Sequence, residues 1–173
     1  RWDRLAYIEA LNDYAIAHDF KIGIKVVRGA YMEKERLRAA EKGYKSPICE
    51  TKKATDENFN QVVNFMLSHL ERMAIFLGTH NEESTYLLMA AMENNGISKN
   101  DPRIWFGQLY GMSDHISYNL GANNYNVSKY LPFGPVKDVM PYLMRRAEEN
   151  TSVAGQTNRE LDLLAAERKR RKI

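Results

Sequence analysis

Short runs of apolar residues alternate with longer amphipathic stretches along this chain. Runs in which apolar side chains are continuous or recur at every second position predict strands at residues 20–28, 73–78, 103–109 and 127–131. Elsewhere apolar residues recur at spacings of three and four, which predicts helices. The predicted helices cover residues 2–18, 32–40, 55–71, 85–94 and 113–120, a main helix opened by Gly134-Pro135, and a terminal helix at 159–172.

Capping residues predict where several of these helices begin and end. Thr55 is the expected N-cap of the helix over 55–71, and Asn81 or Ser84 that of the helix over 85–94. We expect Gly96 in the left-handed position that ends the latter helix, and Gly121 in the same role after residues 113–120.

The last main helix contains a proline that constrains its start. If Asp138 is the N-cap, Pro141 lies in the first turn, where its missing N–H costs no hydrogen bond. Residues 151–158 have the composition of a linker, and residues 159–173 form a basic terminal helix or tail.

Four strand–helix units with few hairpin signals predict a single α/β domain over residues 1–173. Parallel strands joined by right-handed crossovers are the expected arrangement. A chain of 173 residues with 44% hydrophobic residues can bury roughly two thirds of its unfolded surface in one core. Two architectures remain open from the pattern alone: a small doubly wound sheet, or half of an eight-stranded barrel.

Composition excludes several classes of protein and compartment. A net charge of +3 is too mild to indicate nucleic-acid binding. Cys49 is the only cysteine, so an internal disulfide is impossible and a reducing compartment is the default expectation. No apolar run approaches the ~20 residues of a membrane span, and no secretory signal is visible. Since the chain begins with Arg1 and not with Met, we expect a piece of a longer protein.

Each predicted strand ends in residues that are too polar for a core. These ends are RGAY at 28–31, THN at 79–81, QLYG at 108–111 and KY at 129–130. The carboxyl ends of parallel strands meet at one edge of a sheet, which is where α/β proteins bind ligands. Glycines near these ends (Gly29, Gly78, Gly107 and Gly134) either admit a ligand close to the backbone or serve the turns.

The last main helix carries a cationic face. Tyr142, Arg145, Arg146 and Glu149 follow at i, i+3, i+4 and i+7, which places them on one side. Two adjacent guanidiniums suit a carboxylate or phosphate held in a fixed orientation. A solvated face with Arg–Glu pairs is the simpler alternative. However, Arg before Glu is the weaker order for such pairs, which favours a role outside the helix.

Motifs of nucleophilic and metal-dependent catalysis are absent from the sequence. It has no G-x-S-x-G elbow, no Walker A motif, no G-x-G-x-x-G and no second His or Cys at metal-ligand spacing from His80. A site rich in Arg, Lys and Tyr fits an anionic cofactor that supplies the chemistry itself. The basic tail at 167–172 resembles a nucleic-acid patch, but a basic helix end is the simpler account.

Five segments, in their order and spacing, resemble the proline dehydrogenase family. They are KVVRGAY at 25–31, THN at 79–81, FGQLYGM at 106–112, KYLPFGP at 129–135 and YLMRRAEEN at 142–150. The resemblance implies a flavoenzyme on a distorted (β/α)8 barrel that binds FAD, oxidises L-proline to Δ1-pyrroline-5-carboxylate and passes the electrons to a quinone. It covers only the second half of that barrel, about strands five to eight. The earlier strands, which supply a lysine and an aspartate to the family's site, have no counterpart in this chain.

The resemblance also implies roles for individual residues. Arg28 resembles the arginine beside flavin N5, and Lys53, Thr79, His80 and Asn81 resemble residues that hold the rest of FAD. For the substrate, the implied set is Tyr130 against the proline ring, Leu109 as a second wall, Arg145 and Arg146 on the carboxylate, and Glu149 orienting them. Of these, Arg28 and Tyr130 are the expected catalytic residues, and no metal is expected.

Several alternatives stay open beside this interpretation. Four units leave two sheet edges unpaired, so we expect either a fragment that is inactive alone or two copies that cover their edges. The chain could instead be a non-catalytic α/β module that binds a small anion or a partner, and 4-hydroxyproline is the alternative substrate. The expected location is the bacterial cytoplasm, with the full enzyme peripheral to the inner membrane, and a mitochondrion is the alternative.

Overall fold

Seven helices and four strands are present in the computed structural model, which describes the backbone of residues 1–29, 31–152 and 154–172. Side chains are described for residues 1–29, 31–146, 161–163 and 165–172. The strands are β1 (Ile22–Val26), β2 (Met73–Gly78), β3 (Ile104–Leu109) and β4 (Val127–Tyr130). The helices are α1 (Arg4–Ala17), α2 (Met32–Lys42), α3 (Lys52–Ser68), α4 (Glu82–Asn94), α5 (Asp114–Ala122), α6 (Val136–Ser152) and α7 (Ala154–Arg171).

The four strands form one parallel sheet in the order β1-β2-β3-β4. The sheet is staggered: Val26, the last residue of β1, lies level with Leu77, Phe106 and Val127, the first residue of β4. The strands are therefore offset along the sheet from β1 to β4, as are the tilted strands of a closed barrel.

Helices α3, α4 and α5 pack against one face of this sheet. Side chains on alternate strand positions enter a core with α3, α4 and α5, whereas the other positions face away from it. The apolar stripe of α3, predicted from its spacing, supplies Phe59, Val62, Val63 and Met66 to that core. A doubly wound sheet would carry helices on both faces and reverse its strand order. The sequential order and the single helical layer therefore confirm parallel β/α units of the barrel type.

The second face of the sheet, which we call the open face, lines the inside of the barrel in this arrangement. It carries Lys25, Phe76, Trp105 and Tyr130, of which Trp105 and Tyr130 are more than two-fifths exposed. β1 and β4 have no partner on their outer edges among the described residues. Among the same residues, no helix is both long and apolar enough to cross a bilayer.

Two of the predicted helix starts are wrong. The N-cap of α3 is Thr51, whose hydroxyl accepts from the N–H of Ala54 at 3.1 Å, and Thr55 lies inside the helix, where its hydroxyl donates to the Thr51 carbonyl. Likewise α6 begins at Val136, so that Asp138 is not the N-cap and Pro141 lies inside the helix. Helix α3 therefore begins earlier than predicted, whereas α6 begins directly after Gly134-Pro135, as predicted, and only its expected cap is wrong.

Predictions at other helix ends have mixed outcomes. Asn81 caps α4 by accepting from the Ser84 N–H at 2.8 Å, and Gly96 follows α4 in the left-handed conformation, as expected. Gly121 does not end α5, because the helix continues to Ala122 and Asn124 takes the left-handed position. The linker predicted at 151–158 is also wrong, since α6 extends to residue 152 and α7 begins at 154.

Candidate active site

The carboxyl ends of all four strands lie at one edge of the sheet, so the polar residues that follow them share one region. The N-termini of α3, α4 and α5 lie at the same edge, because each of these helices runs back to the start of the next strand. The glycines here have two separate explanations. Gly29 and Gly134 have positive φ angles of 84° and 148°, as turns require. Gly78 and Gly107 instead make room for neighbouring side chains, as described below.

Arg28 follows β1 and points toward the helical layer, where it makes a cluster that we call the Arg28 clamp. Its guanidinium donates to the Asp56 carboxylate of α3 at 2.5 Å, to the Thr79 hydroxyl at 3.1 Å and to the Ser84 hydroxyl of α4 at 2.9 Å. It also stacks over the Phe59 ring, with 4.1 Å from Cζ to the ring centroid. Its side chain is only 13% exposed. Burial lowers the pKa of Arg28, and the adjacent Asp56 carboxylate opposes that shift.

Thr79 connects this clamp to a buried polar network. Its carbonyl accepts from the Gln108 amide at 3.3 Å, and the other end of that amide accepts from the Ser117 hydroxyl at 2.9 Å. Gln108 is 2% exposed, so its hydrogen-bonding groups are satisfied by protein within the core. The end of β2 is therefore fixed from the side of α5 as well as from the side of Arg28.

His80 and Asn81 complete the end of β2. The His80 ring lies 2.9 Å, through Nδ1, from the Ser113 hydroxyl at the start of α5. The Asn81 N–H donates to the Thr79 hydroxyl at 3.1 Å, while its side chain caps α4. Three of the residues predicted to hold a cofactor are thus adjacent, and two of them have side chains that anchor helix starts.

The predicted substrate residues Leu109 and Tyr130 are paired on the open face. They lie opposite one another in the β3–β4 register, and Lys25 of β1 reaches toward them with its Nζ 5.6 Å from the Tyr130 ring and 5.3 Å from the Phe76 ring. A cation between two aromatic faces at these distances is electrostatically favourable. The open face therefore presents an ammonium flanked by rings.

Two glycines allow these side chains to lie along the sheet. A Cβ on Gly78 would come within 3.0 Å of Lys25 Cε, and a Cβ on Gly107 would lie 2.2 Å from the Phe76 ring. Gly78, Gly107 and Ser128 are level with one another in adjacent strands, so a row of small residues crosses the open face. Lys25 and Phe76 lean across this row toward the strand ends.

Helix α6 connects to this group through aromatic contacts. The Tyr142 ring meets the Tyr130 ring edge to face at 5.6 Å, and the Arg146 guanidinium lies over the Tyr142 ring at 5.4 Å. Arg146 is thereby linked to the end of β4. Arg145, one residue earlier, is exposed. Glu149, predicted to orient both, has a side chain outside the described residues.

Lys53 is more exposed than the other predicted cofactor residues. It lies on the first turn of α3, is 86% exposed and comes within 3.8 Å of Glu57 on its own helix. The start of α3 lies at the same edge of the sheet as the other candidates, but the described ion pair of Lys53 is with Glu57 and not with them.

Sequence reasoning missed Lys25 and Asp56 as members of the site, and it placed Tyr142 beside the two arginines without giving it a role. For Lys25 a signal existed, since a charged residue within an apolar strand must face a polar environment. Asp56 carried no comparable signal, because its contact with Arg28 joins residues 28 positions apart. The described residues contain no group of three or more His, Cys, Asp or Glu side chains that could hold a metal ion.

Known proteins resemble this chain closely in sequence. A family model described as proline dehydrogenase matches residues 1–159. The chain is 45% identical over 152 residues to human "Proline dehydrogenase 1, mitochondrial", which is 86% of this chain and 25% of that protein. It is 44% identical to "Hydroxyproline dehydrogenase" of Xenopus laevis, over 86% of this chain and 33% of that one. It is 39% identical to "Carbapenem antibiotics biosynthesis protein CarD" of Pectobacterium carotovorum subsp. carotovorum, over 99% of this chain and 43% of that one.

Solved structures agree with these relatives. Proline utilization A from Bdellovibrio bacteriovorus, inactivated by N-propargylglycine, superposes with a TM-score of 0.79 at 26% identity, over 86% of this chain and 15% of that one. A proline utilization A structure with proline bound in remote sites gives a TM-score of 0.74 at 29% identity, also over 86% and 15%. The chain spans less than half the length of each of these relatives.

Proposed function

The chain belongs to the proline dehydrogenase family, and from this premise we propose that it forms the carboxy-terminal half of the catalytic barrel of an FAD-dependent enzyme. The proposed reaction is oxidation of L-proline to Δ1-pyrroline-5-carboxylate, with a quinone as the electron acceptor. The observation that supports it most is the contact series from Tyr130 through Tyr142 to Arg146, because it brings a guanidinium to the strand end that carries the proposed ring pocket.

The substrate residues act by binding and orientation. Arg146, with Arg145 beside it on α6, holds the carboxylate of the amino acid, since a guanidinium can bind both carboxylate oxygens at once. Tyr130 and Leu109 are the proposed walls against the five-membered ring. Fixing the carboxylate and the ring together restricts the substrate to one orientation, which is the main contribution a protein makes to such a transfer. Glu149 is proposed to orient the two arginines.

The donor set at the strand ends fits a large anionic cofactor. Arg28, Lys53, Thr79, His80 and Asn81 are the proposed FAD-binding residues, and FAD when bound supplies the acceptor for the hydride. Cations and hydroxyl groups at the N-termini of α3 and α4 suit a pyrophosphate. Buried in the Arg28 clamp, Arg28 would act from a fixed position.

Lys25 is an addition to the predicted set. Its ammonium lies on the open face, where a positive charge would stabilise negative charge on a flavin bound beside it. We therefore include Lys25 with Arg28 among the residues that tune the cofactor.

The relatives also support proposals for the substrate and the location of the protein. The Xenopus relative named as a hydroxyproline dehydrogenase supports 4-hydroxyproline as the alternative substrate. Relatives named as mitochondrial support the mitochondrial alternative, whereas the bacterial cytoplasm with peripheral membrane association stays a prediction. Because the chain spans 25% of the length of the human relative and 43% of that of the Pectobacterium relative, we propose that it acts with the rest of a longer protein or, as the alternative, with a second copy.

A flavin assay tests this proposal directly. The full-length protein that carries this chain should be yellow, and anaerobic addition of L-proline should bleach the oxidised-flavin absorbance. In Tyr130→Ser the ratio of activity on 4-hydroxyproline to activity on proline should rise, and an unchanged ratio would remove Tyr130 from the ring pocket. A colourless protein that fails to bind added FAD would instead support a non-catalytic α/β module.

A further inference from the structure

The connector between β3 and α5, residues 110–113, has a strained backbone next to the proposed substrate pocket. It directly follows Leu109, and its turn places Gly111 at φ 75° and Ser113 at φ 51°. A left-handed conformation is unfavourable at a residue other than glycine, because its Cβ crowds the following carbonyl oxygen. The connector therefore requires contacts from other parts of the chain to keep its shape.

Lys129 of β4 makes those contacts with its ammonium group. Its Nζ donates to the Met112 carbonyl at 2.6 Å, lies 3.4 Å from the Leu109 carbonyl and pairs with the Asp114 carboxylate at 2.7 Å. An ammonium has three N–H donors, so all three can be directed at this one segment. The side chain is 23% exposed, which shields these contacts in part from water.

The position of Lys129 in the sheet relates this contact to the pocket. Lys129 is level with buried Gln108 and faces the helical layer, whereas the next residue, Tyr130, faces the open side. The Tyr110 N–H also donates to the Tyr130 carbonyl at 3.0 Å. Lys129 thus joins the end of β4 to the segment after Leu109 without lying in the pocket itself.

A second contact holds the far end of the connector. His80 lies 2.9 Å from the Ser113 hydroxyl, so the end of β2 supports the connector on the side opposite to Lys129. If the Lys129 contacts were lost, the His80 contact and the hydrogen bond from the Ser117 hydroxyl to the Ser113 carbonyl, at 3.3 Å, would still hold the Ser113 end of the connector. The end of the connector nearest β4 would keep the backbone hydrogen bond from Tyr110 to Tyr130 but would lose the side-chain contacts at Leu109, Met112 and Asp114, so the position of Leu109 would be held less strictly.

We propose that Lys129 is a positioning residue that sets the separation of the Leu109 and Tyr130 walls and thereby the affinity for the substrate ring. This inference rests on the proposed function for the identity of the substrate. The claim that Lys129 holds the connector does not depend on the proposed function, because the rigidity of the connector is a property of the chain.

Lys129→Met in the full-length FAD-loaded enzyme tests the inference. We expect the KM for proline to rise by about tenfold, because small displacements of positioning groups are amplified in binding and rate, while kcat stays within about threefold. Amide hydrogen exchange should become faster at residues 110–114 and stay unchanged at 104–108. Lys129→Arg keeps the cation and should restore most of the affinity, and Lys21→Met, on an exposed lysine before β1, is the matched control.

The outcomes separate this inference from the proposed function. An unchanged KM together with unchanged exchange at 110–114 would overturn the inference. A fall in kcat with an unaltered KM would also overturn it, because that result indicates only a smaller folded fraction.

If the wild-type protein fails to oxidise proline, the proposed function fails. In that case faster exchange in Lys129→Met would still support the positioning role, and unchanged exchange would overturn it. If Lys129→Met does not fold, Asp114→Asn removes the ion pair alone and should change KM and exchange in the same directions, and no change in either would overturn the inference.

Discussion

The Arg28 clamp gives a prediction that separates a structural role of Arg28 from its proposed role at the cofactor. Arg28→Ala removes three hydrogen bonds, to Asp56, Thr79 and Ser84. At about 1 kcal/mol each, their loss should lower the free energy of unfolding by about 3 kcal/mol. For a chain of this length that corresponds to a decrease in Tm of about 8 °C.

Asp56→Ala provides the comparison, because it removes only the charged partner of Arg28. The Asp56 side chain is 28% exposed and also pairs with Lys52, so we expect a smaller loss of about 1.5 kcal/mol. Arg72→Met is the matched control for an arginine in a surface pair: its partner Asp19 is 89% exposed, and the loss should stay below about 1 kcal/mol. Urea unfolding followed by far-UV circular dichroism measures all three.

FAD titration of the same variants then tests the cofactor role. If Arg28 contacts the flavin, Arg28→Ala should weaken FAD binding about tenfold more than Asp56→Ala does, which corresponds to one charge-assisted hydrogen bond of about 1.4 kcal/mol. Equal FAD affinity in the two variants would limit Arg28 to a structural role. A loss of stability below about 1 kcal/mol in Arg28→Ala would refute the clamp itself.

Three further predictions follow from other contacts. Gly107→Ala places a methyl group 2.2 Å from the Phe76 ring, so the free energy of unfolding should fall by about 1–3 kcal/mol in thermal unfolding. Adding Phe76→Leu should partly restore it, and an unchanged Tm in Gly107→Ala would contradict the packing described. Arg145→Met and Arg146→Met should each raise the KM for proline by at least tenfold while flavin absorbance is retained, and unaltered steady-state kinetics in both would exclude the carboxylate role. Hydrogen bonds from Arg103 lower the pKa of Asp101. The wild-type protein should therefore be more stable than Asp101→Asn above pH about 4, and this difference should disappear as the pH falls through the lowered pKa. A difference in urea unfolding that does not depend on pH would argue against this linkage.

Local patterns were sufficient for most of the elements and insufficient for several of their ends. The strands predicted at 73–78 and 103–109 correspond to β2 and β3, because short continuous apolar runs between polar segments favour a buried strand. Asn81 and Gly96 were predicted correctly because each acts on its own helix terminus. Thr55 was wrong as a cap because Thr51 caps α3 ahead of a polar first turn that apolar periodicity does not mark. Asp138 was wrong because α6 already begins at Val136, and it was inferred only from the place of Pro141 in the helix.

The candidate site was predictable only as far as its position at the strand ends. Parallel strands bring their carboxyl ends together whatever else the chain does, so Thr79, Leu109 and Tyr130 could be assigned to one edge from sequence. The alternation of strand residues does not reveal which face the helices cover. For that reason the choice between a barrel and a doubly wound sheet did not follow from the pattern, although the charge of Lys25 within an apolar strand indicated that it faces away from the core.

The sequence alone determined that this chain contains parallel β/α units with polar strand ends, and its motifs identified the family, because both depend on residues close to one another along the chain. Tertiary structure decided that Arg28 lies in a clamp with Asp56 and Ser84, that Lys25 lies between Phe76 and Tyr130, and that Lys129 holds the connector after Leu109. Each of these contacts joins residues from different strands or helices. Their formation depends on the stagger of the sheet and on which helix packs beside it, and no local spacing in the chain encodes either.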